Sequence, residues 1–371
     1  MDQHIQDLKE FDDQKTGVKG LVDSGIAKIP KIFICPPKNH HQTINPIDGM
    51  IKSPLKLPII NLDGFDQKGD GGRRAEIVDE IRRAMETWGF FQLVNHGVPA
   101  AVLADLLRST KEFQEQPQEE KMEYYSRDHT RKVKYYSTGD LYLTKTAQWK
   151  DTLSFDFEDT TKMELESLPQ ICREEIGVYI NSLNDLKNVL SELISEALGL
   201  GSDHLESLEC LKIRRLLCHY YPPCPEPDLT MGILKHSDPY FLTILLQDHI
   251  PGFQVFHDNQ WLDVPPLEGS LLINGGDMLQ LITNGKFKSV EHRVIAGRVG
   301  PRISAACFLY PNGKNQIKPY GPLKELVSAD NPPKYRETSF SEYVQYYASR
   351  GLGAAKALDH HFQFTNKTNG K

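Results

Sequence analysis

The amino-acid sequence predicts a mainly β core that follows a helical N-terminal half, with one more helix near the C-terminus. The first half carries apolar residues at helical spacing, whereas from about residue 211 the chain changes to short strand-like segments. Turn signals such as Asp258-Asn259, Pro265-Pro266 and Gly275-Gly276 separate these segments. About eight strands at this spacing favour a sandwich, a barrel or a double-sheet jelly roll.

The elements of the first half are predicted from residue spacing. Ile5, Leu8 and Phe11 predict a short amphipathic helix. The segment Lys28–Ile34 is expected to be extended, because Pro30 disfavours helix and the β-branched residues favour strand. The other predicted elements of this half are a strand at Pro58–Leu62, a helix over Ile77–Trp88 that ends at Gly89, a strand at Phe90–Val94, a helix over Ala100–Phe113 and a long helix over Glu174–Leu200 that packs against a sheet.

The second half contains the predicted strands and a closing helix. The strand candidates are rich in β-branched and aromatic residues and are bounded by turn residues. They are Leu216–Tyr221, Leu242–Gln247, Phe253–Phe256, Trp261–Val264, Ser270–Asn274, Met278–Ile282, Ser289–Ile295 and Ile303–Tyr310. A helix is expected over Ser339–Ser349, and the tail after Phe364 is expected to be disordered.

Composition excludes several classes of function. The net charge of -7 over 371 residues disfavours nucleic-acid binding, which needs a strong basic field. The apolar runs are too short to span a bilayer, and the N-terminus lacks the basic and apolar regions of a signal peptide, so a cytoplasmic enzyme is expected. The six cysteines form no C-x-x-C pair and are expected to be free, buried thiols.

An ordered set of polar residues predicts a metal site with a neighbouring anion site. His236 and Asp238 form the one H-x-D of the sequence, and His292 follows after a long gap. Two imidazoles and one carboxylate are the ligands that hold Fe(II) on one face and leave the other positions open. Arg302 and Ser304, in the one R-x-S, suit a carboxylate, so the set suggests an iron enzyme with a keto-acid cosubstrate. Each motif alone also fits a surface His beside an acid or an ordinary strand Arg, and it is their combined order that favours the functional interpretation.

The motifs around these residues resemble those of plant 2-oxoglutarate and Fe(II)-dependent dioxygenases over nearly the whole chain. Within that family the chain is most similar to the aminocyclopropane-carboxylate-oxidase-homologue subgroup, which includes desacetoxyvindoline 4-hydroxylase, an enzyme of indole-alkaloid metabolism. The leader Gly17–Gly25 and the His219-Tyr220-Tyr221 variant point to the subgroup. The motifs that carry the family resemblance are Trp88–Gly97, Trp149–Thr152, His219–Pro225, His236–Pro239, Phe287–Val294 and Pro301–Ser304.

The resemblance implies a double-stranded β-helix core, Fe(II) on the two histidines and Asp238, and no catalytic residue beyond these ligands. It also implies that 2-oxoglutarate binds Arg302 and Ser304, with a further hydrogen bond from Tyr221. O₂ would be the second cosubstrate and ascorbate the reductant. The expected reaction is hydroxylation or desaturation of a small plant metabolite by a monomeric enzyme, with an alkaloid as first candidate and a terpenoid or phenolic as second.

Aromatic and polar residues near the motifs are candidates for the substrate wall. Phe308 and Tyr310 share the face of Arg302 if the strand is regular, and Tyr240 follows the H-x-D by two residues. The candidates are Leu141, Tyr142, Phe155, His219, Tyr240, Phe308 and Tyr310.

Two positions depart from the usual family pattern. His219 stands where the family commonly has Asn, and Gly275 stands where it usually has a bulky aliphatic residue. A glycine at position 275 either enlarges the site or makes room for a bulky neighbour.

The chain divides into four predicted segments: a leader at 1–56, a helical and strand region at 57–210, a jelly-roll Fe(II)/2-oxoglutarate catalytic core at 211–312, and a C-terminal segment with a helix and a tail at 313–371. Three other functions remain open. They are an ascorbate-dependent oxidase that does not use 2-oxoglutarate, a zinc hydrolase with the same ligands, and a non-catalytic jelly-roll binding protein.

Overall fold

The computed structural model describes residues 3–36, 56–66, 71–158 and 165–362, and the predicted tail after Phe364 lies outside these ranges. The α-helices are α1 Gln3–Gln14, α2 Gly17–Asp23, α3 Gly71–Thr87, α4 Ala100–Glu115, α5 Gln118–Met122, α6 Arg173–Ala197, α7 His204–Ser207, α8 Asp277–Ile282 and α9 Phe340–Arg350. The strands are β1 Ile59–Asn61, β2 Phe90–Val94, β3 Val133–Ser137, β4 Asp151–Asp156, β5 Lys212–Tyr221, β6 Met231–His236, β7 Leu242–Gln247, β8 Phe253–His257, β9 Gln260–Asp263, β10 Leu271–Gly275, β11 His292–Ile295, β12 Arg302–Tyr310, β13 Pro319–Tyr320 and β14 Thr338–Ser339.

Two sheets form the core of the described residues. The larger sheet has eight strands there, in the order β1-β2-β10-β7-β12-β5-β4-β3, and the smaller has four, in the order β6-β11-β8-β9. Neighbouring strands are antiparallel in both sheets, except that β1 runs parallel to β2. Both sheets contribute side chains to the wall of one shared cavity. The double-sheet jelly roll, with helices before and after it, is therefore confirmed.

The helices of the N-terminal half cover the outside of the larger sheet. Ile77, Ile81 and Met85 form the fully buried stripe of α3, as predicted. Gly89 ends this helix at a φ of +65°, and a Cβ there would lie 2.4 Å from the Lys288 carbonyl oxygen. The long helix α6 packs against α3 and α4, and its buried face shares one apolar core with the larger sheet, where Tyr179 lies near Cys218 and Cys307. Helix α4 also contacts β5 and β12.

The N-terminal leader is attached to β4 through one buried carboxylate. Asp151 accepts hydrogen bonds from the backbone N–H groups of Val18 and Lys19, both at 2.8 Å. These are free donors at the start of α2, so Asp151 satisfies the beginning of that helix. The rings of Phe33 and Trp149 also pack edge to face, with centroids 5.0 Å apart. The leader therefore packs beside the strand that precedes the core.

Several predicted elements differ from the structure. Met278–Ile282, predicted as a strand, forms helix α8, because the chain leaves β10 at Gly275-Gly276 and Gln280 N–H bonds back to the Gly276 carbonyl. A short apolar run fits a buried helix as well as a strand. Lys28–Ile34 is extended only at its ends, since Lys31–Phe33 forms a 3₁₀ turn.

Other features of the described chain agree with expectation or stay predictions. All six cysteines lie within the described residues, are buried and form no disulfide. No helix within the described ranges is long and apolar enough to cross a membrane. The division into four segments stays a prediction.

Candidate active site

Two neighbouring strands of the smaller sheet bring the H-x-D motif and the distant histidine together. His236 ends β6 and His292 begins β11, and the two are direct partners in the antiparallel register. Their Nε2 atoms lie 3.7 and 3.6 Å from Oδ1 of Asp238. One ligand atom from each of the three residues falls within a group no wider than 4.8 Å, so the three side chains could hold one metal ion.

The other polar atom of each side chain is already bonded. The Nδ1 atoms of His236 and His292 lie 2.8 and 3.1 Å from the carbonyl oxygens of Leu234 and Val290. An Nδ1–H that donates to a carbonyl leaves the Nε2 lone pair free for a metal. Burial, with the neighbouring His292, holds the pKa of His236 well below its ordinary value. His236 is therefore neutral and able to act as a ligand.

Asp238 is oriented by two hydrogen bonds from the larger sheet. The Thr243 hydroxyl and the Asn274 amide donate to its Oδ2 at 2.6 and 2.8 Å, which leaves Oδ1 directed at the two histidines. Burial alone would raise the pKa of Asp238, but its polar surroundings, which include the hydrogen bonds from Asn274 and Thr243, keep it below the ordinary value. The carboxylate is thus charged and fixed in position. Sequence reasoning did not identify Thr243 or Asn274.

Helices α8 and α9 support the backbone of the H-x-D segment. Asp277 at the start of α8 donates its N–H to the Asp238 carbonyl at 2.7 Å. The hydroxyls of Ser237 and Tyr343 donate to Oδ2 of Asp277, at 3.1 and 2.6 Å. Gly276 is required at this contact, because a Cβ there would lie 2.1 Å from the Tyr240 carbonyl oxygen. The C-terminal helix therefore helps to hold the ligand segment in place.

A cavity that opens to solvent lies between the two sheets around these residues, with about 450 Å³ of empty space including its open part. From β12 it takes Arg302, Ser304, Ala306 and Phe308, so the predicted alternation along this strand is observed for these four residues. His219 also lines the wall. The cavity thus joins the possible metal ligands to the R-x-S residues.

Arg302 offers a cation at one end of this cavity. It is the register partner of Tyr221, and its guanidinium carbon lies 5.0 Å from the centre of the Tyr221 ring. Its Nε and Nη2 donate to the Ile250 carbonyl at 3.2 Å and the Gln247 side chain at 3.0 Å. Arg302 Nη1 and the Tyr221 hydroxyl are buried and have no hydrogen-bond partner within the described residues.

Those two unpaired donors suit a carboxylate ligand. Burial raises the pKa of Tyr221, so its hydroxyl stays protonated and able to donate. An unpaired buried donor is unfavourable by about 1–3 kcal/mol, which a bound carboxylate would relieve. Ser304 lies on the same strand and face as Arg302. The donor set therefore fits the far carboxylate of a keto acid.

His219 belongs to a buried polar group on the inner face of the larger sheet. Its Nδ1 lies 3.0 Å from the Thr152 hydroxyl and 3.4 Å from the Lys150 ammonium, which also donates to Thr152 at 3.1 Å. Burial, with the charges of Lys150 and Arg302, holds the pKa of His219 well below its ordinary value, so the ring is neutral. Burial also lowers the pKa of Lys150 to about 8.

The predicted substrate residues fall into two groups. Phe308 and His219 line the cavity, and Tyr240 packs on Phe308 and on Tyr310 with ring centroids 4.5 and 5.1 Å apart. The remaining candidates lie elsewhere, for reasons of strand alternation or position. Phe155 points to the opposite face of the sheet from Thr152 and Ser154 and is buried in the main core. Leu141 is buried in a second apolar cluster beside the leader. Tyr142 is 45% exposed, and its hydroxyl donates to Asp12 at 3.0 Å.

Gly275 makes room for a neighbour rather than for the cavity. A Cβ at this position would lie 2.8 Å from the Met85 side chain and 3.3 Å from that of Leu279. Met85 belongs to the buried stripe of α3 on the outer side of the sheet. The structure therefore decides between the two interpretations of this glycine in favour of close packing.

Comparison with known proteins agrees with this geometry. Residues 213–311 match the family model of the 2OG-Fe(II) oxygenase superfamily, and residues 57–173 match the model described as non-haem dioxygenase in morphine synthesis N-terminal. The chain is 47% identical over 352 residues to 1-aminocyclopropane-1-carboxylate oxidase homolog 1 of Arabidopsis thaliana, covering 95% of this chain and 94% of the relative. It is 45% identical over 348 residues to deacetoxyvindoline 4-hydroxylase of Catharanthus roseus, covering 92% and 85%.

A solved structure shares both the fold and the cofactors. The crystal structure of JOX2 in complex with 2OG, Fe and JA matches with a TM-score of 0.78 and 30% identity, over 94% of this chain and 97% of that one. These matches argue against the zinc hydrolase and the non-catalytic binding protein that the ligand set alone left open. The chain therefore belongs to the 2OG-Fe(II) oxygenase superfamily, and it is a dioxygenase that uses iron and 2-oxoglutarate.

Proposed function

We propose that His236, Asp238 and His292 hold Fe(II) through the two Nε2 atoms and Oδ1. The mutual distances of 3.6 and 3.7 Å support this, as does the occupation of every other polar atom of the three side chains by a protein partner. Two imidazoles and one carboxylate would leave a single net positive charge on a bound Fe(II) and would leave positions for other ligands.

We propose that 2-oxoglutarate places its far carboxylate between Arg302, Ser304 and Tyr221. The observation that carries the proposal is the pair of buried, unpaired donors, Arg302 Nη1 and the Tyr221 hydroxyl, in the same cavity as the metal ligands. When bound, the iron and the keto acid supply the oxidising power for an unactivated C–H bond. The protein contributes binding, orientation and exclusion of water.

The oxidised substrate is a small plant metabolite that undergoes hydroxylation or desaturation. Deacetoxyvindoline 4-hydroxylase supports hydroxylation, and its name supports an alkaloid as first candidate, with a terpenoid or phenolic as second. Phe308 lines the cavity, and Tyr240 packs on Phe308 and on Tyr310, so an aromatic group borders the site and suits a ring system. O₂ is the second cosubstrate and ascorbate the reductant. The enzyme acts as a monomer in the cytoplasm, which light scattering and a fluorescent fusion test.

The deciding experiment is a metabolite screen with purified protein, Fe(II), ascorbate and 2-oxoglutarate. Succinate that rises together with one consumed metabolite is the expected result. Succinate formation also separates this function from an ascorbate-dependent oxidase, which would consume its substrate without 2-oxoglutarate. A metabolite oxidised equally well without 2-oxoglutarate would disprove the proposal.

A further inference from the structure

A second positive group lies on the inner face of the larger sheet, away from Arg302. Arg215 of β5 is the register partner of Phe308 on β12, and Phe308 lines the cavity. Directly paired residues of neighbouring strands point to the same side of a sheet. Arg215 therefore faces the same side as the cavity wall, at the end opposite to Arg302.

The charges at this end do not balance within the described residues. Arg215 Nε and Lys134 both bind the carboxylate of Asp156, Lys134 at 2.9 Å. They are the cations that share this single acid, so the group formed by Lys134, Asp156 and Arg215 has one excess positive charge. The side chain of Lys134 is almost fully buried and also donates to the Arg131 carbonyl at 2.7 Å, whereas that of Arg215 is 32% exposed. Arg215 is therefore the more exposed of the two cations.

The hydroxyl of Tyr240 lies beside the guanidinium of Arg215. Its Nη1 donates to the Tyr240 oxygen at 3.3 Å, which leaves the Tyr240 O–H free to donate to a ligand. The ring of Tyr240 packs on Phe308 and Tyr310. An accessible guanidinium beside a hydroxyl donor and an aromatic wall suits an anion attached to a ring system.

The sheet register gives the distance from this group to the metal ligands. Asp156, Arg215, Phe308 and Thr243 form one row across four neighbouring strands, and the Thr243 hydroxyl holds Asp238. Strands lie about 4.8 Å apart, so Arg215 is about 10 Å across the sheet from Thr243. That separation corresponds to about two fused or linked rings.

We propose that the oxidised substrate is a ring-containing carboxylic acid whose carboxylate binds Arg215 and the Tyr240 hydroxyl, and which is oxidised at a carbon remote from that carboxylate. This rests on the proposed function. It places acidic phenolics and terpenoids before alkaloids, because a protonated amine would be repelled by Arg215. The two carboxylate sites then lie on the same face of the larger sheet, with Arg302 inside the cavity for the cosubstrate and Arg215, beside the cavity-lining Phe308, for the substrate.

Binding of matched two-ring probes tests the proposal without turnover. The probes are biphenyl-4-carboxylic acid, its methyl ester and the corresponding aminomethyl compound, titrated by calorimetry into enzyme loaded with Zn(II) and 2-oxoglutarate. The acid should bind at least tenfold more tightly than the ester or the amine. Arg215→Met should weaken binding of the acid about ten- to a hundredfold, the usual effect of losing a charged hydrogen bond, and leave binding of the ester unchanged. An acid that binds no more tightly than the ester or the amine overturns the proposal.

Arg214→Met is the matched control. Arg214 is the next residue of β5, so its side chain leaves the opposite face of the sheet. It should change neither the affinity for the acid nor basal succinate formation, and a loss of acid binding equal to that of Arg215→Met would overturn the proposal. If Arg215→Met fails to fold, Arg215→Gln, which keeps a polar side chain at this position and leaves Asp156 paired with Lys134, should show the same selective loss. Basal succinate formation by the wild-type enzyme tests the proposed function separately from these binding data.

Discussion

His236 and His292 stand directly opposite each other on the antiparallel strands β6 and β11, with ring centroids 4.2 Å apart. Residues far apart in sequence thus meet because the smaller sheet pairs the strand before the H-x-D with the strand that begins at the second histidine. Asp238 then completes the group from the loop that follows β6. The geometry of the site is therefore a direct consequence of the strand register.

Loss of any of these three side chains should abolish turnover. We expect His236→Ala, Asp238→Ala and His292→Ala each to leave less than a few per cent of wild-type activity, because two remaining ligands cannot hold iron in the required facial arrangement. Succinate formation measures the loss, and circular dichroism checks that the fold survives. A variant that folds and keeps substantial activity would show that the ligand is assigned wrongly.

The residues that orient Asp238 should affect iron affinity rather than folding. Thr243→Val removes the hydroxyl that donates to Oδ2 at 2.6 Å and keeps the side-chain volume. Loss of such a supporting contact typically weakens metal binding about ten- to a hundredfold. Iron titration of the apo-enzyme measures the change, and Thr243→Ser, which keeps the hydroxyl, is the control. Equal iron affinity in the Val variant and the wild type would contradict this role for Thr243.

Arg302→Lys tests the cosubstrate anchor. Lysine keeps the charge but loses the planar fork that matches a carboxylate. Losing one charged hydrogen bond should weaken binding by about 1.5–3 kcal/mol, or about ten- to a hundredfold. The KM for 2-oxoglutarate should rise by that factor while the iron affinity stays unchanged. A titration curve that coincides with that of the wild type would count against the anchor.

The order of residues in the sequence was sufficient to predict the double-sheet core and the three side chains that now lie within 4.8 Å of one another. R-x-S lies in strand β12, where alternate residues share a face, whereas His236 ends β6 and Asp238 follows it in a loop, so the pairing of β6 with β11 is what brings the three side chains together. Thr243 and Asn274 could not be found this way, because their role depends on which strands are neighbours in the sheet, and no local pattern encodes that.

Two further errors have similar causes. The segment Asp151–Asp156 was not predicted as a strand, since acidic residues are rare in strands and its polar side chains face the interior. Phe155 was expected in the substrate wall, but alternation turns it to the outer face of the sheet, where it packs with Val133 and Leu216. The sequence shows that an aromatic residue lies near the motifs. The register of β4 with its neighbouring strands is needed to show on which side of the sheet its ring lies.

Phe308→Ala and Tyr310→Ala should weaken substrate binding. Phe308 lines the cavity and both rings pack on Tyr240, so removing either ring takes apolar area from the wall. Truncating a buried Phe to Ala typically loses about 3–5 kcal/mol of packing free energy. Part of that loss should appear as a higher KM for the substrate. Steady-state kinetics with the substrate from the metabolite screen measures the change. Unchanged substrate affinity in both variants, or preference for a small amino acid, would contradict this picture of the pocket.

The buried ammonium of Lys150 should make stability depend on pH in a defined window. Burial lowers its pKa to about 8 and outweighs the attraction of Asp140 and Asp151. A lysine whose pKa is lower in the folded than in the unfolded state destabilises the fold at a pH where it is charged in both states. This destabilisation disappears as the pH rises from the folded-state pKa of about 8 to the unfolded-state pKa of about 10.4. Lys150→Met should therefore be more stable than the wild type at pH 7, by about 1–3 kcal/mol.

That difference should shrink between pH 8 and 10, since the wild type loses its buried charge there. Urea unfolding at a series of pH values measures it, and Lys111→Met, at a lysine whose side chain is 49% exposed on α4, is the control that should show no such trend. A stability difference between Lys150→Met and the wild type that stays constant over this range would mean that Lys150 is not a buried charge in the folded protein. A Lys150→Met protein less stable than the wild type at pH 7 would instead show that the hydrogen bond to Thr152 outweighs the burial of the ammonium.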